Sequence, residues 1–314
     1  MLQLLRQAWS CLTNQNRNEL APRIESLESR QLLSAAPHAA TTIPRYDHVV
    51  IVVEENHGYS QILGTPVWPP LAFNPIVWAY INQPLPILQD LNIRTLAGSG
   101  TSMTQSHGLT HPSQPNYLAL FSGSTQGVTS DATPRQPFAG PDLASELAAA
   151  GLSFAGYSES MPHAGYSGED TGAYVRHHNP WVDFSDVPVT DNLTFSQFPH
   201  DFSKLPTVSF VTPNIYNDMH SGTVQRADRW LKQHISSYAH WATKHNSLLI
   251  VTWDEDNGTA SNHIPTIFSG AGVHHGFSNQ PINHYNVLRT IEDMYKLPPL
   301  GQSASATPII GIFS

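Results

Sequence analysis

What this sequence lacks narrows its chemistry before anything it contains. Among 314 residues there is one cysteine, Cys11, near the N-terminus. The rest of the chain therefore has no disulfide and no thiolate to act as ligand or nucleophile. Charge is scarce at 12 % of residues, and it is accompanied by 25 prolines and 20 glycines. That balance predicts a loop-rich globular protein rather than a disordered or coiled-coil one. Bases are outnumbered 15 to 24, for a formal charge of −9. A surface of that sign repels phosphate backbones, so nucleic acid is not expected as a bound partner. Any phosphate site must bring its own positive charge, and a metal ion can supply it. No run approaches the roughly 20 apolar residues of a membrane span. Histidine, by contrast, is abundant: its 17 copies exceed lysine and arginine together.

Residues 1–44 differ from the remainder. They mix bases with short apolar stretches, and they lack the hydrophobic core and cleavage site of an ordinary signal peptide. The segment LESRQLLSA, from Leu27 to Ala35, resembles a short tag on exported bacterial proteins. The expectation is an export-associated leader over 1–44 and one catalytic domain over 45–314.

From Tyr46 onward the pattern is α/β. Residues 48–53 (HVVIVV), 207–212 (TVSFVT), 247–253 (SLLIVTW) and 265–269 (PTIFS) are continuous apolar runs, the mark of strands buried on both faces. Helical spacing is present over 142–150, stopped by Gly151, over 224–244 and over 284–295. Such alternation predicts a mostly parallel central sheet sandwiched by helices. Residues 58–95 and 160–205 read as long loops.

In open α/β sheets, ligands bind beyond the carboxyl ends of the strands. Three of these strands end in polar residues: Glu54-Glu55-Asn56-His57 after the first, Asn217-Asp218-Met219-His220 beyond the second, and Asp254-Glu255-Asp256 after the third. Carboxylates gathered at one rim resist joint ionisation unless a cation joins them. Mixed carboxylate and amide oxygens suit magnesium, calcium, manganese or zinc, and the sequence does not choose. Ser113, after Pro112, falls at the start of a predicted helix. There it is either a plain N-cap or a nucleophile set where free N–H groups favour an anion.

The ordered segments THPSQPNYLAL (110–120), YSESMP (157–162), YVRHHNPW (174–181), TPNIYNDMHSG (212–222), VTWDEDNG (251–258), NHIPTIFSG (262–270) and HYNVLRTIEDMY (284–295) together resemble the phosphoesterase family. That family comprises bacterial and fungal acid phosphatases and phospholipases C within the alkaline phosphatase superfamily. The resemblance covers about residues 45–298.

The resemblance implies a divalent metal held by Glu55, Asn56, Ser113, Asp254 and Glu255. It makes Ser113 the nucleophile, and His178 and His220 donors to the phosphate oxygens. His263 is a candidate further contact with substrate or metal. His111 reads as shaping the turn, and Glu54 as a bystander on the other strand face. The implied reaction is double displacement on a small phosphorylated substrate through a phosphoserine, with cationic histidines favouring acidic operation. Phosphomonoesters are the expected substrates, phospholipase C-type diester hydrolysis the alternative, and a non-catalytic binding module the remote one. A sulfatase is disfavoured because Ser113-Gln-Pro-Asn lacks the arginine of that motif.

Overall fold

The computed structural model describes residues 43–64 and 91–314. The expected leader, save its last two residues, lies outside the described residues, as does the middle of the expected 58–95 loop.

The first apolar run forms β1 (His48–Glu54). Its β-branched side chains are stiff about χ1 and favour extended backbone. β1 lies between β6 (Val208–Thr212) and β7 (Ser247–Trp253), parallel to both. β4 (Phe154–Ser158) and β5 (Asn192–Thr194) continue the parallel array beyond β6. On the far side lie β8 (Thr266–Gly270), β2 (Thr101–Met103) and β9 (Gly276–Ser278), giving the order β5-β4-β6-β1-β7-β8-β2-β9. A two-stranded ladder pairs β3 (Ser106–His107) with β10 (Ile282–Asn283).

The sheet is mostly parallel, as expected, but β8 runs against both β7 and β2. The link from β7 to β8 contains no helix, so the chain reverses instead of crossing over the sheet. The predicted 224–244 helix is two: α5 (Val224–His234) and α6 (Ser236–Ala242). They are separated at Ile235, where φ is −113°. There Ser236 Oγ donates to Asn92 Oδ1 at 2.8 Å and lies near Leu231 O, a side-chain competitor for the helix ladder.

Alternation along β1 divides the core. Val49, Ile51 and Val53 face one cluster, with Phe121, Phe154, Trp181 and Phe210. α3 (Gln114–Ser122), α4 (Leu143–Ala149) and α7 (His284–Tyr295) cover that face. Val50 and Val52 face a second cluster beneath α2 (Leu91–Ser99), α5 and α6. The short α1 (Tyr59–Ile62) follows the β1 end and sends Ile62 into the second cluster. On the first face Trp181 packs so tightly over β4 that a Cβ on Gly156 would sit 2.1 Å from its ring. The 160–205 segment is largely loop, with short 3-10 turns such as Arg176–His178 and Pro180–Asp183, but it also contributes the edge strand β5, which three residues were too few to announce. No helix among the described residues is long and apolar enough to cross a membrane.

Candidate active site

The site assembles at the carboxyl rim of β1, β6 and β7. As β1 ends, Asn56 turns the chain with a left-handed φ of 54°, a conformation asparagine tolerates. Its N–H donates to Asp254 Oδ1 at 3.2 Å, tying the β1 end to the β7 end. Glu55 and Asp254 are thereby brought side by side, both almost wholly buried.

Ser113 occupies the N-terminal boundary of α3 with helical dihedrals (φ −61°, ψ −53°), and its hydroxyl makes no capping bond. A serine serving as a plain N-cap has non-helical dihedrals and accepts a first-turn N–H, so the cap reading fails. Instead Ser113 Oγ donates toward Glu55 Oε2 at 3.2 Å and Glu255 Oε1 at 3.3 Å. Asp254 is close enough that Ser113 also helps lower its pKa. The free N–H groups expected at this helix start are taken. Gln114 N donates to Asp131 Oδ1, Pro115 has no N–H, and Asn116 N donates to Ser113 O.

Glu55 is the hub. Its Oε1 accepts from Tyr117 Oη at 2.6 Å and lies 3.2 Å from His178 Nε2. On its other side His178 Nδ1 lies 3.2 Å from Asp218 Oδ2, and Tyr117 stacks on the imidazole with centroids 5.2 Å apart. His178 Nε2 and Asp218 Oδ2 are near their neighbours without hydrogen-bond alignment, so both keep bonding capacity. The exposed His220 ring stands 6.0 Å from His178. The backbone N–H of His220 donates to Asp218 Oδ1 at 2.9 Å.

Burial raises the pKa of Glu55 and Asp254 well above the carboxylate range, and neighbouring acids add to it: Asp254 and Asp218 beside Glu55, Glu255 beside Asp254. Asp218 is pushed up to about 7, chiefly by burial. Glu255 is raised by burial and held back by His111. Burial pulls His178 down to about 3, with His220 adding to the effect. Burial thus disfavours the cationic form of His178, although Glu55 and Asp218 flank its two ring nitrogens.

Two residues not assigned from sequence belong here. His111 Nδ1 meets Glu255 Oε2 at 2.6 Å, so it anchors that carboxylate as well as shaping the turn. Asp218, in the NDMH stretch, faces His178; its place beyond a strand end marked it in the sequence, but not its partner. His263 is elsewhere: Nε2 contacts Thr104 O at 3.0 Å, and the ring stacks on Tyr59 and His107. Among the described residues no three acidic, imidazole or thiol groups form a ready-made metal cage.

A mostly parallel sheet sandwiched by helices, with a serine among its strand-end carboxylates, is an α/β fold of alkaline-phosphatase type. Solved structures agree on the fold. A protein in the alkaline phosphatase superfamily from Vibrio parahaemolyticus superposes with a TM-score of 0.53 at 13 % identity, over 86 % of this chain and 72 % of that one. A phosphonate monoester hydrolase from Silicibacter pomeroyi gives 0.53 at 10 % identity, over 84 % and 76 %. Sequence settles the family: the phosphoesterase family profile matches residues 80–298. The chain belongs to the phosphoesterase family and is a hydrolase of phosphoric esters. It is 46 % identical over 277 residues to a phosphatidylinositol-3-phosphatase of Mycobacterium tuberculosis, covering 88 % of this chain and 85 % of the relative. An acid phosphatase of Aspergillus fumigatus is 30 % identical over 68 % of this chain, which spans 52 % of that relative's length.

Proposed function

We propose that the chain is a metal-assisted phosphomonoesterase in which Ser113 forms a phosphoserine intermediate. The observation that carries this reading is the Ser113 hydroxyl, freed from capping and aimed at Glu55 and Glu255. Serine Oγ attacks phosphorus in line, forming a P–O bond as the ester P–O bond breaks. The serine proton passes to Glu55 or Glu255, its two hydrogen-bond acceptors, and the departing alkoxide takes up a proton and leaves as the alcohol. Water then hydrolyses the phosphoserine and releases phosphate. We assign His220, exposed at the rim, and His178 beside it as donors to the equatorial oxygens.

The donor set suits a hard divalent cation, with zinc, magnesium, calcium and manganese all compatible. Asp254 Oδ2 is buried without a hydrogen-bond partner, and the raised carboxylate pKa values mark groups in need of a counter-charge. Glu55, Asn56, Asp254, Glu255 and Ser113 would hold the ion, which would neutralise charge on the phosphate and favour the serine alkoxide. Monoesters are favoured because the Mycobacterium tuberculosis relative is named as a phosphatase of a phosphorylated lipid and the fungal relatives as acid phosphatases. Export is proposed with it, from the Leu27–Ala35 segment, and cell fractionation tests that.

The decisive experiment compares p-nitrophenyl phosphate with its bis-ester, alongside metal analysis of the purified protein. The expected result is monoester turnover that disappears on chelation and on Ser113→Ala. Undiminished activity in Ser113→Ala would remove the nucleophile assignment, and faster bis-ester turnover would favour the diesterase.

A further inference from the structure

Past the turn that carries Asp218 and His220, α5 borders a hollow of about 480 Å³. Asn217 and Thr223, on either side of that turn, line it, and Arg226, Arg229 and His234 form its helical wall. Both arginines are exposed and stand one turn apart on α5. Arg226 is oriented: its Nε donates to Asn217 Oδ1 at 2.7 Å and its guanidinium lies 5.2 Å from the Tyr216 ring. Among the described residues neither arginine pairs with a carboxylate. The acid in this lining, Glu159, is committed to Asn214 N and Asn217 Nδ2. Two unpaired arginines beside a catalytic turn call for a reason in a chain with 24 acids and only 15 bases.

A second hollow, of about 750 Å³, shares Glu159, Gln233 and His234 with the first. Here Met161, Phe195, Phe198 and Phe202 form an apolar strip in the wall, bordered by the polar Ser160, Thr194, Ser196 and Ser237. Phe195 and Phe198 stack with centroids 5.4 Å apart. The two hollows, joined at Glu159, Gln233 and His234, make a trough that is cationic next to the catalytic turn and carries an aromatic strip farther along.

We propose that this trough binds the leaving group of a phosphorylated amphiphile. A second, non-scissile anionic group sits on Arg226 and Arg229, and an acyl chain lies along Met161, Phe195, Phe198 and Phe202. The proposal rests on the reading of Ser113 as the nucleophile of a phosphomonoesterase. Guanidinium–anion hydrogen bonds fix the head geometrically, and the aromatic wall removes the chain from water. A soluble polyanion would use only half of this surface.

The test uses the full chain and three probes: dioctanoyl phosphatidylinositol 3-phosphate, its deacylated headgroup, and p-nitrophenyl phosphate. Wild type is expected to show a KM for the lipid at least about 10-fold below that for the headgroup. The double variant Arg226→Ala/Arg229→Ala should raise KM for the lipid about 10-fold more than KM for p-nitrophenyl phosphate. At the aromatic end, Phe195→Ser should raise KM for the lipid alone. Because Phe195 also packs on Trp230, the exposed Ser237→Asp, which sets a carboxylate in the same wall, serves as the second variant. Equal KM for lipid and headgroup in wild type overturns the proposal. So does a lipid-to-p-nitrophenyl phosphate KM ratio that no variant moves. In both cases a dead Ser113→Ala leaves the phosphomonoesterase standing, whereas an active Ser113→Ala removes that foundation instead.

Discussion

Glu54 and Glu55 end the same strand, one residue apart and equally buried, yet the sheet gives them opposite faces and different company. Glu55 looks toward the face covered by α3 and meets Ser113, Tyr117 and His178. Glu54 looks toward the face covered by α5, and neither of its oxygens has a hydrogen-bond partner. Burial first, then Asp218, Glu159 and Asp228, keep its pKa high. Burial alone therefore does not mark a site residue. A buried acid without donors holds its proton, whereas one facing donors can ionise when a counter-charge arrives.

The largest effect expected is on turnover. Glu55→Gln should lower kcat by about 1000-fold or more, roughly 4 kcal/mol of transition-state stabilisation. Glu54→Gln mimics a protonated glutamate and should change kcat less than about threefold. Steady-state kinetics with p-nitrophenyl phosphate decide this, and equal losses at the two positions would erase the distinction between the faces.

Next in size is a change beneath the site. Arg176 Nη2 lies 2.7 Å from Asp183 Oδ1, in a pair whose side chains are 10 % and 0 % exposed. Asp183 Oδ2 also accepts from Gln114 Nε2, at the start of α3. Arg176 begins the 3-10 turn that carries His178, so one buried pair ties the His178 turn to the start of the Ser113 helix. Removing Arg176 leaves Asp183 uncompensated, and Arg176→Ala should cost about 3–5 kcal/mol. The exposed Lys204–Asp201 pair, near the other face, has side chains 74 % and 59 % exposed, and Lys204→Ala should be near neutral. Urea midpoints that shift equally would contradict the contrast.

How much of this could be read from the sequence follows the same division. The strands β1, β6 and β7 were legible because both faces are buried and apolar runs mark them. Helix α7 matched its predicted span because Val287, Leu288 and Ile291 repeat at helical spacing. β2, β3, β9 and β10 have two or three residues each, too few for any period, and their ladders depend on distant partners. The reversal of β8 is a tertiary fact that its composition does not encode. In the site, residues at strand ends could be found by position. The roles of Tyr117, Asp218 and His111 could not, since each depends on a side chain brought from another element.

A smaller effect separates the faces by packing. Gly156→Ala, with its Cβ 2.1 Å from Trp181, should cost about 1–3 kcal/mol by overpacking the site-bearing face. On α2, against the other face, Gly98 has nothing within 4 Å of an added Cβ. Gly98→Ala should stabilise by about 0.5–1 kcal/mol, as expected for an exposed helical glycine. Thermal unfolding of the two variants should therefore shift in opposite directions, and shifts of the same sign would refute the packing argument.

The smallest effect comes from a third buried acid, intermediate in company. Asp142 caps α4 on the site-bearing face. Its Oδ1 accepts from Ala144 N and Ser145 N at 2.8 and 3.1 Å, while Oδ2 is buried without a partner. Burial pushes its pKa up to about 7; the Ser145 amide opposes the rise and nearby Asp186 adds to it. A raised folded-state pKa means the folded protein binds this proton more tightly than the unfolded chain. The resulting stability is complete below the unfolded value of about 4 and is lost as pH rises through about 7. Asp142→Asn keeps the accepting oxygen and removes the ionisation. Its Tm relative to wild type should therefore rise between pH 4 and pH 8, by roughly 2 °C for a cost on the order of 1 kcal/mol. A difference that stays flat across that range would mean that Asp142 ionises freely, and that two backbone donors suffice to hold a buried carboxylate charged.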